Sequence, residues 1–150
     1  MTKQPAHFPI TDPSMLHRLL PHRSPMLLID TVLSYTEQSI VCSYKVVQNS
    51  LFVIDSIFSE SGIIEHMAQT VAVHTGYSGY LNQQPTREGY IGAIKSVEVM
   101  RLPKLGEVLT SEATILYSAM EMTLVAITSI VNEVPVARAE MSTILKPKPQ

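Results

Sequence analysis

Glu65, His66 and Gln69 stand together in "EHMAQTVA", residues 65–72, a stretch otherwise made mostly of small and apolar side chains. A carboxyl there is expensive unless it is used, so Glu65 is the first candidate for acid–base chemistry. On a helix Gln69 lies one turn on, within reach of the Glu65 carboxyl. His66 is a second candidate for a catalytic role, although helical neighbours diverge by about 100° and do not easily share one substrate atom. Asp55, in the preceding "VIDSIFSES", is a candidate base if burial raises its pKa. The other histidines read as structural: His7 in an N-terminal arm, His17 on a surface helix, His22 beside Arg23, and His74 deep or at a subunit seam. None of the five histidines has metal-ligand spacing to carboxylates or to the cysteine, so no metal is expected. There is no Gly-rich phosphate loop and no nucleophile elbow, and no cofactor is implied.

The 150 residues, 45% of them hydrophobic, suit one domain with a real core. A net charge of −2 and the absence of tryptophan argue against nucleic-acid binding. The single cysteine, Cys42, has no internal disulfide partner and reads as a small buried hydrophobe. No apolar run approaches the roughly 18 residues of a membrane span, and the polar, proline-rich start has no signal-peptide core. The expected compartment is the cytoplasm. Residues 1–13 read as an arm, 14–146 as one domain and 147–150 as a charged tail.

The elements that must carry the candidate residues follow from periodicity. "PSMLHRLL" predicts a short helix capped by Asp12 or Ser14, and "PHRSP" breaks it. "MLLIDTVLSY" and "SIVCSYKVV" predict two strands joined by "TEQ". A loop over 49–58 leads to a long helix capped by Ser59, with Gly76 and Gly79 fitting its C-terminal end. That helix is apolar nearly all round, which predicts burial under a sheet and a second protomer. Four strands follow "NQQPTREG", with a tight hairpin at "NEV", residues 132–134. Two strands, one long helix and four strands make an α+β fold with one antiparallel sheet.

"LLPHRSPMLLIDTVL", residues 19–33, resembles the "LPHRyPfLLiDrv" opening of bacterial 3-hydroxyacyl-acyl-carrier-protein dehydratases. "EHMAQTVA" is similar to that family's "EalAQ" helix, and "KSVEVMRLPKLGEVL", residues 95–109, to its "drarFkrpvvPGDqL" strand and turn. The "SLF" at residues 50–52 is similar to the subgroup associated with aryl polyene pigment clusters. The resemblance spans about residues 14–145 and implies a dimeric hotdog fold, a sheet wrapped around one long helix. It also implies acyl carrier protein and an acyl thioester as partners.

The family mechanism uses a loop histidine as base, a helix carboxyl of the other protomer as acid, and helix N-terminal N–H groups that polarise the thioester carbonyl. Carried over, the acid falls on Glu65, with Gln69 orienting it. The loop histidine falls on Leu51, between matching Asn49 and Phe52. The glycine at the helix start falls on Glu60, and Gly62 takes its role only with a two-residue slip. The resemblance implies an apolar tunnel lined by Leu51, Phe52, Ile57 and Met67. It implies carrier docking on a basic patch at Arg101 and Lys104, with Arg87 as a further candidate. Three readings follow: a dehydratase, an acyl thioesterase, or a non-catalytic acyl-binding subunit that completes a partner's site. The subunit pairing is a homodimer or a heterodimer with another hotdog protein.

Overall fold

The structure, a computed structural model, describes residues 5–147; the last three tail residues and the first four of the arm lie outside the described residues. Two helices and eight strands follow in order: α1 (Pro13–Leu19), β1 (Thr31–Tyr35), β2 (Ser39–Lys45), β3 (Val53–Ile54), β4 (Ile57–Phe58), α2 (Glu60–Leu81), β5 (Gly89–Val99), β6 (Val108–Ala119), β7 (Met122–Val131) and β8 (Val134–Leu145). Six strands form one antiparallel sheet in the order β1-β2-β6-β7-β8-β5. α2 packs across it, and α1 crosses α2. This is the α+β hotdog layout.

α2 starts where the Ser59 side chain accepts from the Gly62 N–H at 3.2 Å, with Glu60 in the first turn. Its 22 residues run about 33 Å. Ile63, Met67 and Val71 enter the core with Leu28, Phe58 and Leu109. The expected cap role of Gly76 is corrected: the helix continues to Leu81 and caps at Asn82. Gly76 instead marks the crossing with α1, where an added Cβ would lie 1.9 Å from the Leu19 carbonyl oxygen.

β6 and β7 alternate as a half-buried sheet requires, whereas β5 is exposed at most positions. Cys42, Ser111, Ser129 and Ala137 stand in one register row across β2, β6, β7 and β8, all buried. Short side chains along this row leave room for His66 above it. Asn132 and Glu133, at φ 51° and 65°, close the β7–β8 hairpin as a two-residue turn matched to strand twist.

Three expectations change in detail. The first strand begins only at Thr31, because the side-chain amide of Gln69 takes the Met26 carbonyl and the Leu28 N–H that a ladder would have used. The 49–58 loop contains the β3–β4 ribbon, with Asp55 and Ser56 at φ 52° and 64° in its turn. The arm also packs: Ile10 pairs with Val32, Phe8 lies 5.5 Å from the Tyr77 ring, and the Ala6 N–H donates to the Tyr77 hydroxyl.

Candidate functional site

Glu65, Ala68, Ala72 and Thr75 lie along one side of α2 and wall a slot of about 250 Å3. His22, Arg87, Ile91 and Ile144 also line it. Glu65 is half-buried, and burial raises its carboxyl pKa while a hydrogen bond with Gln69 offsets part of the shift. The carboxyl therefore keeps its proton to a higher pH than an exposed glutamate, which suits a general acid.

Gln69 is fully buried. Its Nε2 donates to the Met26 carbonyl at 2.8 Å, and its Oε1 accepts from the Leu28 N–H at 2.7 Å. One side chain thus ties the chain after "LPHR" to the helix and touches the Glu65 carboxyl. The Arg23 guanidinium donates to the carbonyls of His17, Leu20 and His22, which holds the end of α1 in place. Arg23 therefore meets His22 through the His22 backbone carbonyl. The His22 ring lines the slot with Glu65.

The expected direct role of His66 meets a geometric correction. The ring is fully buried on the sheet side of α2. Nδ1 pairs with the Leu28 carbonyl at 2.8 Å and Nε2 with Ser111 Oγ at 3.0 Å, and Ser111 Oγ lies 2.6 Å from Ser129 Oγ. A bond to a carbonyl makes Nδ1 the donor, so Nε2 accepts from Ser111. Burial pushes the ring pKa down to about 4, against smaller opposing effects of the Leu28 bond and Asp30. Both nitrogens are engaged within the core, so this imidazole does not reach the slot.

The tunnel residues also sit elsewhere. Met67 is fully buried in the core, because two residues along a helix turn the side chain about 200° from Glu65. Leu51 is 59% exposed and Ile57 40% exposed, on the loop and ribbon before α2. Phe52 packs on Phe58, with ring centroids 6.4 Å apart. None of these four lines the Glu65 slot within this chain. Gly62 is buried beneath Phe52 and Phe58, and its N–H is engaged by Ser59. Asp55 sits exposed in the ribbon turn. His74 stacks on Tyr35 at 4.8 Å and bonds the Thr36 carbonyl at 2.9 Å. Burial raises the Cys42 thiol pKa.

Arg101 and Lys104 share the turn between β5 and β6. Glu107 pairs with the Arg101 guanidinium at 2.8 Å and accepts the Lys104 N–H at 2.7 Å, which offsets part of the local positive field. Arg87 forms an ion pair with Glu121 at 2.8 Å and donates to the Lys146 carbonyl, so it belongs to the slot more than to open surface. Sequence reasoning missed both His22 and Arg87 as slot residues. Neither carried a signal in the sequence, since the contacts of Gly76 with Leu19 and of Gln69 with Met26 and Leu28, which flank His22, are set only in the folded chain.

The sequence matches the ApeP-like family, described as ApeP dehydratase, over residues 14–150. The chain belongs to this family. It is also 33% identical, over 69% of its length and 76% of the relative's, to a 3-hydroxyacyl-[acyl-carrier-protein] dehydratase FabZ of Latilactobacillus sakei. Family and relative make it a dehydratase-like protein of the fatty acid and aryl polyene type. Among solved structures, the dehydratase heterocomplex ApeI:P from Xenorhabdus doucetiae superposes with a TM-score of 0.85 at 19% identity, covering 95% of this chain and 94% of that one. A hypothetical thioesterase with coenzyme A from Streptococcus pneumoniae reaches a TM-score of 0.57 at 16% identity, covering 79% of this chain and 90% of that one. At such identities these two show the hotdog fold alone.

Proposed function

We propose that this chain supplies the general acid, Glu65, to a 3-hydroxyacyl-acyl-carrier-protein dehydratase site completed by a second hotdog subunit. The observation that carries it is a half-buried carboxyl of raised pKa on a slot wall, in a chain whose loop position 51 holds leucine. The partner supplies the base that takes the C2 proton. Glu65 gives its proton to the 3-hydroxyl as the C3–O bond breaks, and the C2–C3 double bond forms as water leaves. Gln69 keeps the carboxyl aimed, and Leu51, Phe52 and Ile57 face the partner rather than this chain's own slot.

The subunit seam runs along β5. This edge strand has 11 residues, is exposed at most positions on both faces, and shows Tyr90 55% and Ile94 45% exposed. A long edge with apolar side chains is a ready template for a partner strand. The acidic carrier protein docks at Arg101 and Lys104, near the ribbon, since Ile57 and Lys104 form a bridge.

The test is a dehydration assay of the chain alone and mixed with the hotdog protein encoded beside it. Activity should need the mixture. Glu65→Gln should lower it by about 10²–10⁴-fold without dissolving the complex. Leu51→His should change the mixed rate little. Full activity of the isolated chain, or an unchanged rate in the mixed Glu65→Gln complex, would overturn the assignment.

A further inference from the structure

His66 is a buried titratable side chain that the proposed reaction leaves unused. Its ring is closed off between α2 and the sheet, yet both nitrogens are engaged. Packing alone asks for an apolar residue there, since replacing a buried hydrogen-bonded pair by apolar groups of the same shape is nearly neutral. A satisfied polar network in a core fixes one geometry instead. What this one fixes is a strap, residues 26–28, that leads from the end of α1 to β1.

The network runs in one direction. Nδ1–H donates to the Leu28 carbonyl, so Nε2 accepts from Ser111 Oγ. The Ser111 proton is thereby committed, and Ser129 donates to Ser111. Beyond the strap carbonyl, the Leu28 N–H donates to Gln69 Oε1, and Gln69 Nε2 donates to the Met26 carbonyl. Three backbone groups of the strap are therefore held by two side chains of α2, about one turn apart. The strap also decides the polarity of the Gln69 amide. A flipped amide would set Nε2 against the Leu28 N–H and Oε1 against the Met26 carbonyl, two repulsive pairs. With the amide fixed, its second Nε2 proton is left for the Glu65 carboxyl, to which Gln69 is hydrogen-bonded.

We propose that His66 is a positioning residue for the acid: by anchoring the Leu28 carbonyl it holds the strap where the Gln69 amide turns an N–H toward Glu65. The imidazole does not reach the substrate, and the Ser111–Ser129 pair keeps it in the tautomer that donates to the strap. A neutral imidazole suits the position because it offers one donor and one acceptor at separate points of a rigid ring. Without the donor the buried Leu28 carbonyl is unpaired, the strap shifts to relieve it, and Gln69 shifts with the strap. The Glu65 carboxyl then loses a bond that favours its charged form, so its pKa rises further.

The inference rests on the reading of Glu65 as the general acid. Glu65 is titrated by carbon NMR in the full chain labelled at glutamate, with Glu65→Gln assigning its signal. In parallel, kcat and KM are followed against pH in the complex with the hotdog partner. His66→Phe fills the place of the ring but cannot donate, whereas His66→Asn is smaller and keeps an N–H near the Nδ1 position. His66→Phe should raise the Glu65 pKa, carry the alkaline limb of kcat upward with it, and lower kcat roughly 10- to 100-fold at little change in KM. His66→Asn should keep the wild-type pKa and limb. A packing role predicts the reverse order, with phenylalanine the better tolerated, and loss of folded protein alone lowers the rate equally at every pH. The other titratable side chains of the slot, His22, Arg87 and Tyr90, are untouched by both variants. An unchanged Glu65 pKa in His66→Phe, or a displaced one in His66→Asn, overturns the inference. Should His66→Phe not fold, His66→Asn decides together with the tautomer of the wild-type ring by nitrogen NMR, where Nδ1–H is expected and Nε2–H overturns. A Glu65 pKa that depends on His66, without Glu65-dependent dehydration, would sink the dehydratase reading alone. Glu65-dependent dehydration with a pKa indifferent to His66 would sink this inference alone.

Discussion

His66 shows how one residue can look catalytic and serve the core. It stands beside Glu65, yet 100° of helical rotation sends it to the sheet, where the short row of Cys42, Ser111, Ser129 and Ala137 receives it. Its buried ring holds a pKa of about 4, against 6.5 for the ordinary group. The unfolded chain therefore binds the extra proton and the folded chain does not. Stability is full above about pH 6.5 and falls as pH drops toward 4, by about 3 kcal/mol for this group. His22 and His74, also lowered by burial, act in the same direction. Urea unfolding at several pH values should show a steeper loss below neutrality for wild type than for His66→Gln. Parallel pH profiles would assign the acid sensitivity elsewhere.

Among the elements, the crossing of α1 and α2 positions the slot, because it fixes the segment that carries His22. The crossing depends on Gly76, where a methyl would meet backbone rather than a pliable side chain. Gly76→Ala gains about 1 kcal/mol of helix propensity but forces the two backbones apart. The net loss should be about 2–3 kcal/mol, read as a melting temperature lower by roughly 5–10 °C. A melting temperature equal to wild type would show that the crossing relaxes freely. In the turn after β5, Glu107 draws on Arg101 and Lys104 together. Reversing both cations should weaken carrier binding most at low salt, as screening removes such effects. Salt-independent affinity in the double variant would remove this turn from the docking surface.

For the whole molecule, the edge strand β5, the exposed loop residue Leu51 and the exposed ribbon residue Ile54 predict association through faces that this chain leaves uncovered. Light scattering at micromolar concentration should give twice the chain mass alone or a stable pair with the hotdog partner. Ile94→Lys, which puts a charge on the edge, should shift either assembly toward monomer. A chain that remains monomeric in both conditions would contradict the two-subunit site.

Much of this protein was written in local pattern. The Ser59 cap, the long apolar helix, the "NEV" hairpin and the order of strands around it follow from short-range chemistry that a sequence displays directly. The acid candidate was legible for the same reason, since a glutamate among small and apolar helix residues conflicts with its surroundings. What lay outside local pattern was decided by residues far apart in the chain. Gln69 reaches 41 and 43 residues back to Leu28 and Met26 and shortens β1. Gly76 admits the Leu19 backbone rather than ending the helix. His22 and Arg87 become neighbours of Glu65 only when α1, α2 and β5 are packed together. Periodicity tells which side of an element is apolar, but not which element lies against it, and the composition of the slot depends on that second fact.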